Sequence, residues 1–156
     1  MRHRTPPPIE VRNAQRKVRV FTPSLQRFAN TASALVWKHK RPRAEIASVP
    51  EITVLIVSDQ RMAALHQEFC GLAGPTDVLT FRHGEIVISA EMAARQAKVF
   101  RSSLVGEIRL YLLHGLLHLA GFNDVGPRQR KQMLQFQGKL FFSLREVGGS
   151  WSGANG

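Results

Sequence analysis

The spacing of apolar residues predicts alternating strands and helices along most of the chain. A period of two over residues 9–12 and a β-branched apolar run over residues 52–57 indicate strands, and the second should be buried on both faces. Further strands are predicted over residues 77–81 and 85–88. The short link between them indicates a hairpin, so at least one pair of strands should be antiparallel.

Helical spacing fills the intervals between these strands and the end of the chain. Thr22-Pro23-Ser24 is typical of a helix start, with a capping hydroxyl and an early proline. The pattern predicts an α/β fold in which a small mixed β-sheet of about four strands packs with about five helices. Those helices cover residues 22–40, 61–69, 90 to 97 or 100, 104–120 and a last one from 127, whose inward residues should be Met133, Leu134, Phe136, Leu140, Phe141 and Leu144.

The charge of the chain is far from balanced. It has 22 lysines and arginines against 11 acids, a net charge of +11, and residues 1–43 hold eleven of the basic residues with Glu10 as their one acid. This favours a polyanionic partner such as RNA or a ribosomal particle, and the alternative is a basic surface that only aids solubility. The cluster Lys38, Lys40, Arg41 and Arg43 either supports the negative end of the first helix or faces RNA.

Other features bear on the compartment. Cys70 is the single cysteine, so it forms no internal disulfide, and we expect a small, partly buried apolar side chain. The basic, proline-rich start lacks the apolar core of a signal peptide. The longest apolar run, residues 110–122, is too short and too interrupted by histidine to cross a bilayer. We therefore expect a cytoplasmic protein without a membrane partner.

A pair of histidines on the predicted helix over residues 104–120 is the main candidate for chemistry. His114 and His118 are four residues apart, so both rings project from one helix face, about 6 Å apart along the axis. Gly121 suits the left-handed conformation that ends a helix, and the returning chain would carry Asp124 toward the rings. Two nitrogens, one oxygen and room for a solvent molecule are typical of a catalytic zinc site on this central helix.

Two other interpretations of the histidine pair are open. Histidines on an apolar helix can be buried, neutral and hydrogen bonded without any metal. Their spacing also matches the zinc-protease pattern HExxHxxGxxH at both histidines and the glycine. Gly115 stands where that pattern needs its glutamate base, which disfavours a protease of this kind.

The same stretch resembles a known family. HGLLHLAGFND, residues 114–124, is similar to the motif HGxLHLxGYDH of the YbeY family, which are bacterial metal-dependent endoribonucleases of ribosomal RNA maturation. PTDVLTF and GEIVIS, within residues 75–89, resemble the family's PTDVLSF and GDIVIS, and the next residues fit its ExAxxQA helix. The resemblance implies one domain of this kind over residues 8–146, with flexible termini at 1–7 and 147–156.

The chain departs from the family's pattern at three positions. Asp124 replaces the third histidine of the motif and Asn123 the aspartate before it. Zinc accepts a carboxylate oxygen, although a harder ligand can change the metal preference. Cys70 stands where many members have an arginine, so we expect no role in phosphate handling there. The resemblance still implies one zinc ion, or another divalent metal, held by His114, His118 and Asp124.

Further candidates surround these ligands. Asp77 either caps its turn or orients a metal-binding histidine. Arg82 and His83 would meet phosphate if their strand end borders the site. Glu107, two turns before His114, would help the site or, more simply, form an exposed ion pair. No general base is evident, so the first candidate is a water molecule activated by the metal.

Three function classes follow from these observations. The first is a metal-dependent, single-strand-specific endoribonuclease of ribosomal RNA maturation and ribosome quality control, with ribosomal RNA or the small subunit as its partner. The second is a non-catalytic ribosome-assembly factor with a structural metal. The third is a metal-dependent hydrolase of another substrate such as a peptide, which Gly115 disfavours. The oligomeric state is left open.

Overall fold

The computed structural model describes residues 3–148, with side chains of the last helix described as far as residue 145. Within that range, four strands and five α-helices confirm the predicted α/β class. The predicted tail lies outside the described residues from 149 onward. The elements are β1 Ile9–Asn13, α1 Thr22–Lys38, a 3-10 helix Glu45–Ala47, β2 Ile52–Val57, α2 Asp59–Cys70, β3 Val78–Phe81, β4 Glu85–Ser89, α3 Ala90–Val99, α4 Leu104–Leu119 and α5 Pro127–Gly148.

The sheet is mixed and has the strand order β1-β2-β4-β3. β2 pairs in parallel with β1 on one side and with β4 on the other. β3 and β4 form the predicted antiparallel hairpin. Gly84 closes this hairpin with a φ of 106°, and a Cβ there would lie 2.5 Å from the carbonyl oxygen of Glu51. The close approach and the positive φ together require glycine.

Helices cover both faces of the sheet, as the apolar sequence of β2 predicted. On one face, α1, α4 and α5 share a core with the strands, and α4 is apolar on nearly all sides because it lies at the centre of this layer. On the other face, Met62 of α2 packs with Val57 and Val87. No helix in the described range has the length and hydropathy to span a bilayer.

Three local predictions are wrong. The first helix has Phe21 as its N-cap without a side-chain cap, and the Ser24 hydroxyl donates back to the Phe21 carbonyl at 3.2 Å. Pro23 suits the first turn, because its missing N–H would have no helical partner there. Leu134 is 50% exposed, since the buried stripe of α5 runs through neighbouring positions. Cys70 is exposed, because it ends α2 where Gly71 turns the chain at a φ of 68°.

The segment before β1, predicted to be flexible, is hydrogen bonded at His3 to the 3-10 helix and to the residues that follow it. The backbone N–H of His3 donates to the carbonyl of Ala47 at 2.8 Å, and its ring Nε2 lies 3.0 Å from the carbonyl of Val49. Ile9 then begins β1, in register with Ile52 of β2.

Candidate metal centre

The end of α4 turns the chain back toward its own last turns. The helix ends at Leu119, and Gly121 adopts a φ of 96°, as predicted for the left-handed residue after a helix. The N–H of Gly121 donates to the carbonyl of His118 and that of Phe122 to the carbonyl of Leu117, both at 3.0 Å. These bonds satisfy carbonyls that the helix leaves open and direct residues 122–124 toward the exposed side of the histidines.

The structure brings the three proposed ligands together. The Nε2 atoms of His114 and His118 are 3.1 Å apart, and Asp124 Oδ2 lies 3.9 Å and 3.8 Å from them. A point equidistant from the three atoms would lie about 2 Å from each, which is the length of zinc bonds to histidine nitrogen and carboxylate oxygen. The set therefore fits a small divalent ion.

The hydrogen bond of His114 favours the ring form that binds metals. Its Nδ1 lies 2.7 Å from Oε1 of Gln137, a buried residue of α5. Because an amide oxygen can only accept, Nδ1 carries the proton and Nε2 of the neutral ring keeps its lone pair. That lone pair lies beside the Nε2 of His118. An imidazole held in this way by an outer acceptor is the usual arrangement of a metal-binding histidine.

His118 is held in its neutral form. Burial lowers its pKa, and the neighbouring His114 lowers it further, while Asp124 and a hydrogen bond to the backbone of Phe122 oppose the shift. A pKa below the ordinary histidine value leaves the ring unprotonated at neutral pH. Unprotonated imidazole is the state a metal ligand requires.

The triad opens into a cleft of about 700 Å³. Its walls are the end of α4, the loop that carries Asp124, the segment 42–45 and the start of the β3 hairpin. The Asp124 side chain is 45% exposed, whereas those of the two histidines are 20% and 26% exposed. A substrate could therefore reach the carboxylate side of the triad without any rearrangement of the core.

The other predicted site residues are placed unevenly. Asp77 and Arg82 line the cleft, whereas His83 stacks on Phe81 with ring centroids 5.7 Å apart and is not among the described lining residues. The Asp77 carboxylate accepts the N–H of Val78 at 2.7 Å, which is the turn-capping role. Arg82 is exposed and lies 3.9 Å from Glu45.

Glu107 is buried instead of forming the predicted exposed ion pair. It accepts a hydrogen bond from the Ser102 hydroxyl at 2.6 Å, just before α4 begins. Burial raises the pKa of the nearby Tyr111, and the charge of Glu107 raises it further. Glu107 is buried because neighbouring elements cover α4 on nearly all sides. It is not among the described residues that line the cleft.

Sequence reasoning missed Gln137 at this site, and it named Arg43 only as a member of the basic cluster that either supports the end of the first helix or faces RNA. Gln137 lies four residues after Met133 on the inward stripe of α5, and a polar residue on that stripe was the available signal. Arg43 lines the cleft from the loop after α1. Its position depends on how this loop packs against the end of α4, which local sequence does not encode.

Comparisons with known proteins identify relatives of this chain. The family model described as endoribonuclease YbeY matches residues 10–145. An endoribonuclease YbeY from Bifidobacterium adolescentis is 33% identical, over 74% of this chain and 73% of that protein. One from Salinispora tropica is 30% identical, over 72% of this chain and 85% of that protein. The solution structure of TM1509 from Thermotoga maritima matches with a TM-score of 0.60 at 28% identity, over 92% of this chain and 91% of that one.

Proposed function

Because this chain belongs to the YbeY endoribonuclease family, we propose that it cleaves single-stranded RNA with the help of one bound divalent metal ion. Family membership supports an endonuclease that acts on RNA. The metal requirement, the preference for single strands and a role in ribosomal RNA maturation and ribosome quality control are our proposal. The observation that carries it is the convergence of His114, His118 and Asp124 at the spacing of metal ligands.

The residues of the triad have distinct tasks in this proposal. His114 and His118 would hold the ion, which we propose to be zinc, through neutral rings, and Asp124 would add an anionic oxygen from the open side of the cleft. When bound, such an ion lowers the pKa of a coordinated water and stabilises charge on a phosphate. Gln137 fixes the ring of His114 so that its lone pair stays directed at the ion.

The shape and charge of the molecule support RNA as the substrate. The ligands are half-buried at the base of a cleft, which an extended single strand can enter more easily than a duplex. The strongly basic segment 1–43 reaches the cleft through its last residues, because the Arg41 guanidinium lies 4.4 Å above the ring of Phe122. A large polyanion such as ribosomal RNA would use this surface as well as the cleft.

A ribosome-assembly factor with a structural metal is the second candidate, and Asp124 in place of the motif's histidine is the observation that favours it. Peptide hydrolysis of the HExxH type has no support. A side chain at Gly115 would place its Cβ 2.7 Å from Ile86 Cγ2 in the sheet, so the required glutamate has no room.

The Asp124→Ala variant tests the ligand assignment. Loss of the carboxylate leaves two neutral nitrogens, so we expect metal content to fall from one ion per chain to well below that, and RNA cleavage to fall with it. Metal content is measured on purified protein by mass spectrometry, and cleavage on a labelled single-stranded RNA. Glu68→Ala, which removes an exposed carboxylate outside the cleft, is the matched control and should change neither. Full cleavage by Asp124→Ala would contradict the assignment.

A further inference from the structure

The loop after α1 contains a turn with an unusual residue at its third position. The N–H of Ala44 donates to the carbonyl of Arg41 at 3.2 Å, which closes a four-residue turn. Pro42 is its second residue, and proline fixes φ near −65°. Arg43 is its third residue and has a φ of 65°. These angles belong to a type II turn, whose third position favours glycine or asparagine.

An arginine in this conformation is strained. Its Cβ crowds the backbone in the left-handed region, whereas glycine adopts it freely and asparagine tolerates it. Such a conformation costs free energy, and residues held in it cluster at functional sites. Strain alone assigns no role, because Arg101 shares it at a φ of 54°. What distinguishes Arg43 is the place of its side chain.

The turn is fixed directly against the metal centre. The N–H of Arg41 donates to the carbonyl of Ala120 at 2.9 Å, at the start of the loop that carries Asp124. Gly121 packs so closely on the turn that a Cβ there would lie 3.0 Å from that of Arg41. Arg43 lines the same cleft as the three ligands. Its backbone is thus held in place on the rim, so a contact made by its side chain would be pre-positioned.

The charge of Arg43 is also available for a partner. Among the described residues of the cleft, Arg43 and Arg82 are the two with permanent positive charge. Arg82 lies 3.9 Å from Glu45, which offsets part of its charge. In the part of the chain whose side chains are described, up to residue 145, the exposed Arg43 makes no ion pair or side-chain hydrogen bond. An unpaired guanidinium beside a nuclease site is suited to a phosphate, which accepts its fork of N–H donors in pairs.

We propose that Arg43 is a substrate-binding residue that contacts a backbone phosphate of the RNA next to the cleaved position. This inference rests on the proposed nuclease function and adds to it a residue that specifies where the strand lies in the cleft. Because the contact is to a phosphate, it positions the strand and reads no base sequence.

The chain offers a matched control for this residue. Arg101 is also an exposed arginine with a left-handed backbone, at a φ of 54°, and it does not line the described cleft. Arg43→Asn and Arg101→Asn remove the same charge and relieve the same kind of strain. Both should keep or slightly raise the melting temperature, because asparagine tolerates this region of φ.

The test measures binding of a labelled single-stranded RNA in an Asp124→Ala background and cleavage in the otherwise natural protein. Arg43→Asn should weaken binding and raise KM by about tenfold with little change in kcat, the effect of one lost charge-assisted contact. The slope of log affinity against log salt should become shallower by about 0.7. Arg101→Asn should change affinity by less than about twofold, since an exposed charge far from the strand is screened.

The outcomes separate this inference from the proposed function. If the natural protein cleaves RNA and the two arginine variants behave alike, the Arg43 inference is overturned while the nuclease stands. A reduced melting temperature of Arg43→Asn with unchanged affinity would also overturn it, because that result assigns the residue to the fold. If the natural protein neither binds nor cleaves single-stranded RNA, the proposed function fails and the Arg43 contact fails with it.

Discussion

At His114, the partner of one ring nitrogen determines what the other can do. Gln137 approaches Nδ1 from α5 and is 6% exposed, so water cannot easily replace its oxygen. The amide oxygen accepts from the Nδ1–H, so Nε2 is the ring nitrogen that faces His118 and Asp124. This orientation is the one that a metal-binding histidine needs.

Replacement of Gln137 by leucine should weaken metal binding while the fold is kept. The ring of His114 would lose the acceptor that orients it, and such losses lower metal affinity by about 10- to 100-fold. The measurement is a competition titration with a zinc-sensitive dye, compared with circular dichroism of the same samples. Gln135→Leu, on the exposed side of the same helix, is the control and should bind as the natural protein does. Equal affinity of the two variants would mean that Gln137 has no part in holding the ring.

The ligand triad could be proposed from local sequence, whereas the contact of Gln137 with His114 and the place of Arg43 in the cleft could not. The helical period and the left-handed turn at Gly121 act within eleven residues, so His114, His118 and Asp124 are placed by short-range geometry. Gln137 reaches His114 across 23 residues through the packing of α4 on α5. Arg43 enters the cleft because its turn binds the end of α4. Both placements depend on tertiary contacts.

At the scale of elements, α4 packs directly against the sheet at Gly115. Gly115 faces β4, and a Cβ there would be 2.7 Å from Cγ2 of Ile86 and 3.0 Å from its Cδ1. The absence of a side chain lets the helix approach the strand beside the histidines. The glycine that excludes a protease glutamate is therefore also a packing residue, and His114 and His118 project from the neighbouring face of the helix.

Gly115→Ala should destabilise the protein although alanine favours helices. The added methyl overpacks the α4–β4 contact and should lower the free energy of unfolding by about 1–3 kcal/mol. Urea denaturation measures this change. Gly138→Ala on α5 is the control, because a Cβ there meets nothing within 4 Å. It should instead raise the free energy of unfolding by about 0.5–1 kcal/mol. A neutral or stabilising Gly115→Ala would show that the contact with Ile86 is easily relieved.

Most element types and their order were predictable because each has a strong local signal. Ser58 and Ser89 accept hydrogen bonds from backbone N–H groups at the starts of α2 and α3, the capping role that serine favours before a helical run. The N-cap of α1 was mispredicted, since proline at the start of the helix removed the need for a hydroxyl. The burial of Glu107 was also missed, because its surroundings are assembled from distant segments.

At the scale of the molecule, the core and the candidate metal centre are separate. The main core joins apolar residues of α1, α4 and α5 with the sheet, and it includes Leu25 of α1 and Leu144 of α5. The ligands are at its margin, half-buried, and Asp124 is in a loop. We expect a fold with this much internal burial to form without an ion, unlike small metal-dependent domains. This separation favours the catalytic over the structural candidate.

Removal of metal should therefore abolish RNA cleavage while the protein stays folded. After treatment with a chelator, we expect an unchanged far-ultraviolet circular dichroism spectrum and a cooperative thermal transition. The melting temperature should be lower by about 5–10 °C if the ion had been present at a hundred times its Kd, because only the binding free energy is lost. Asp124→Ala should show no such shift with the same chelator. Loss of the cooperative transition would instead support the structural metal of an assembly factor, since the ion would then be part of the folding reaction itself.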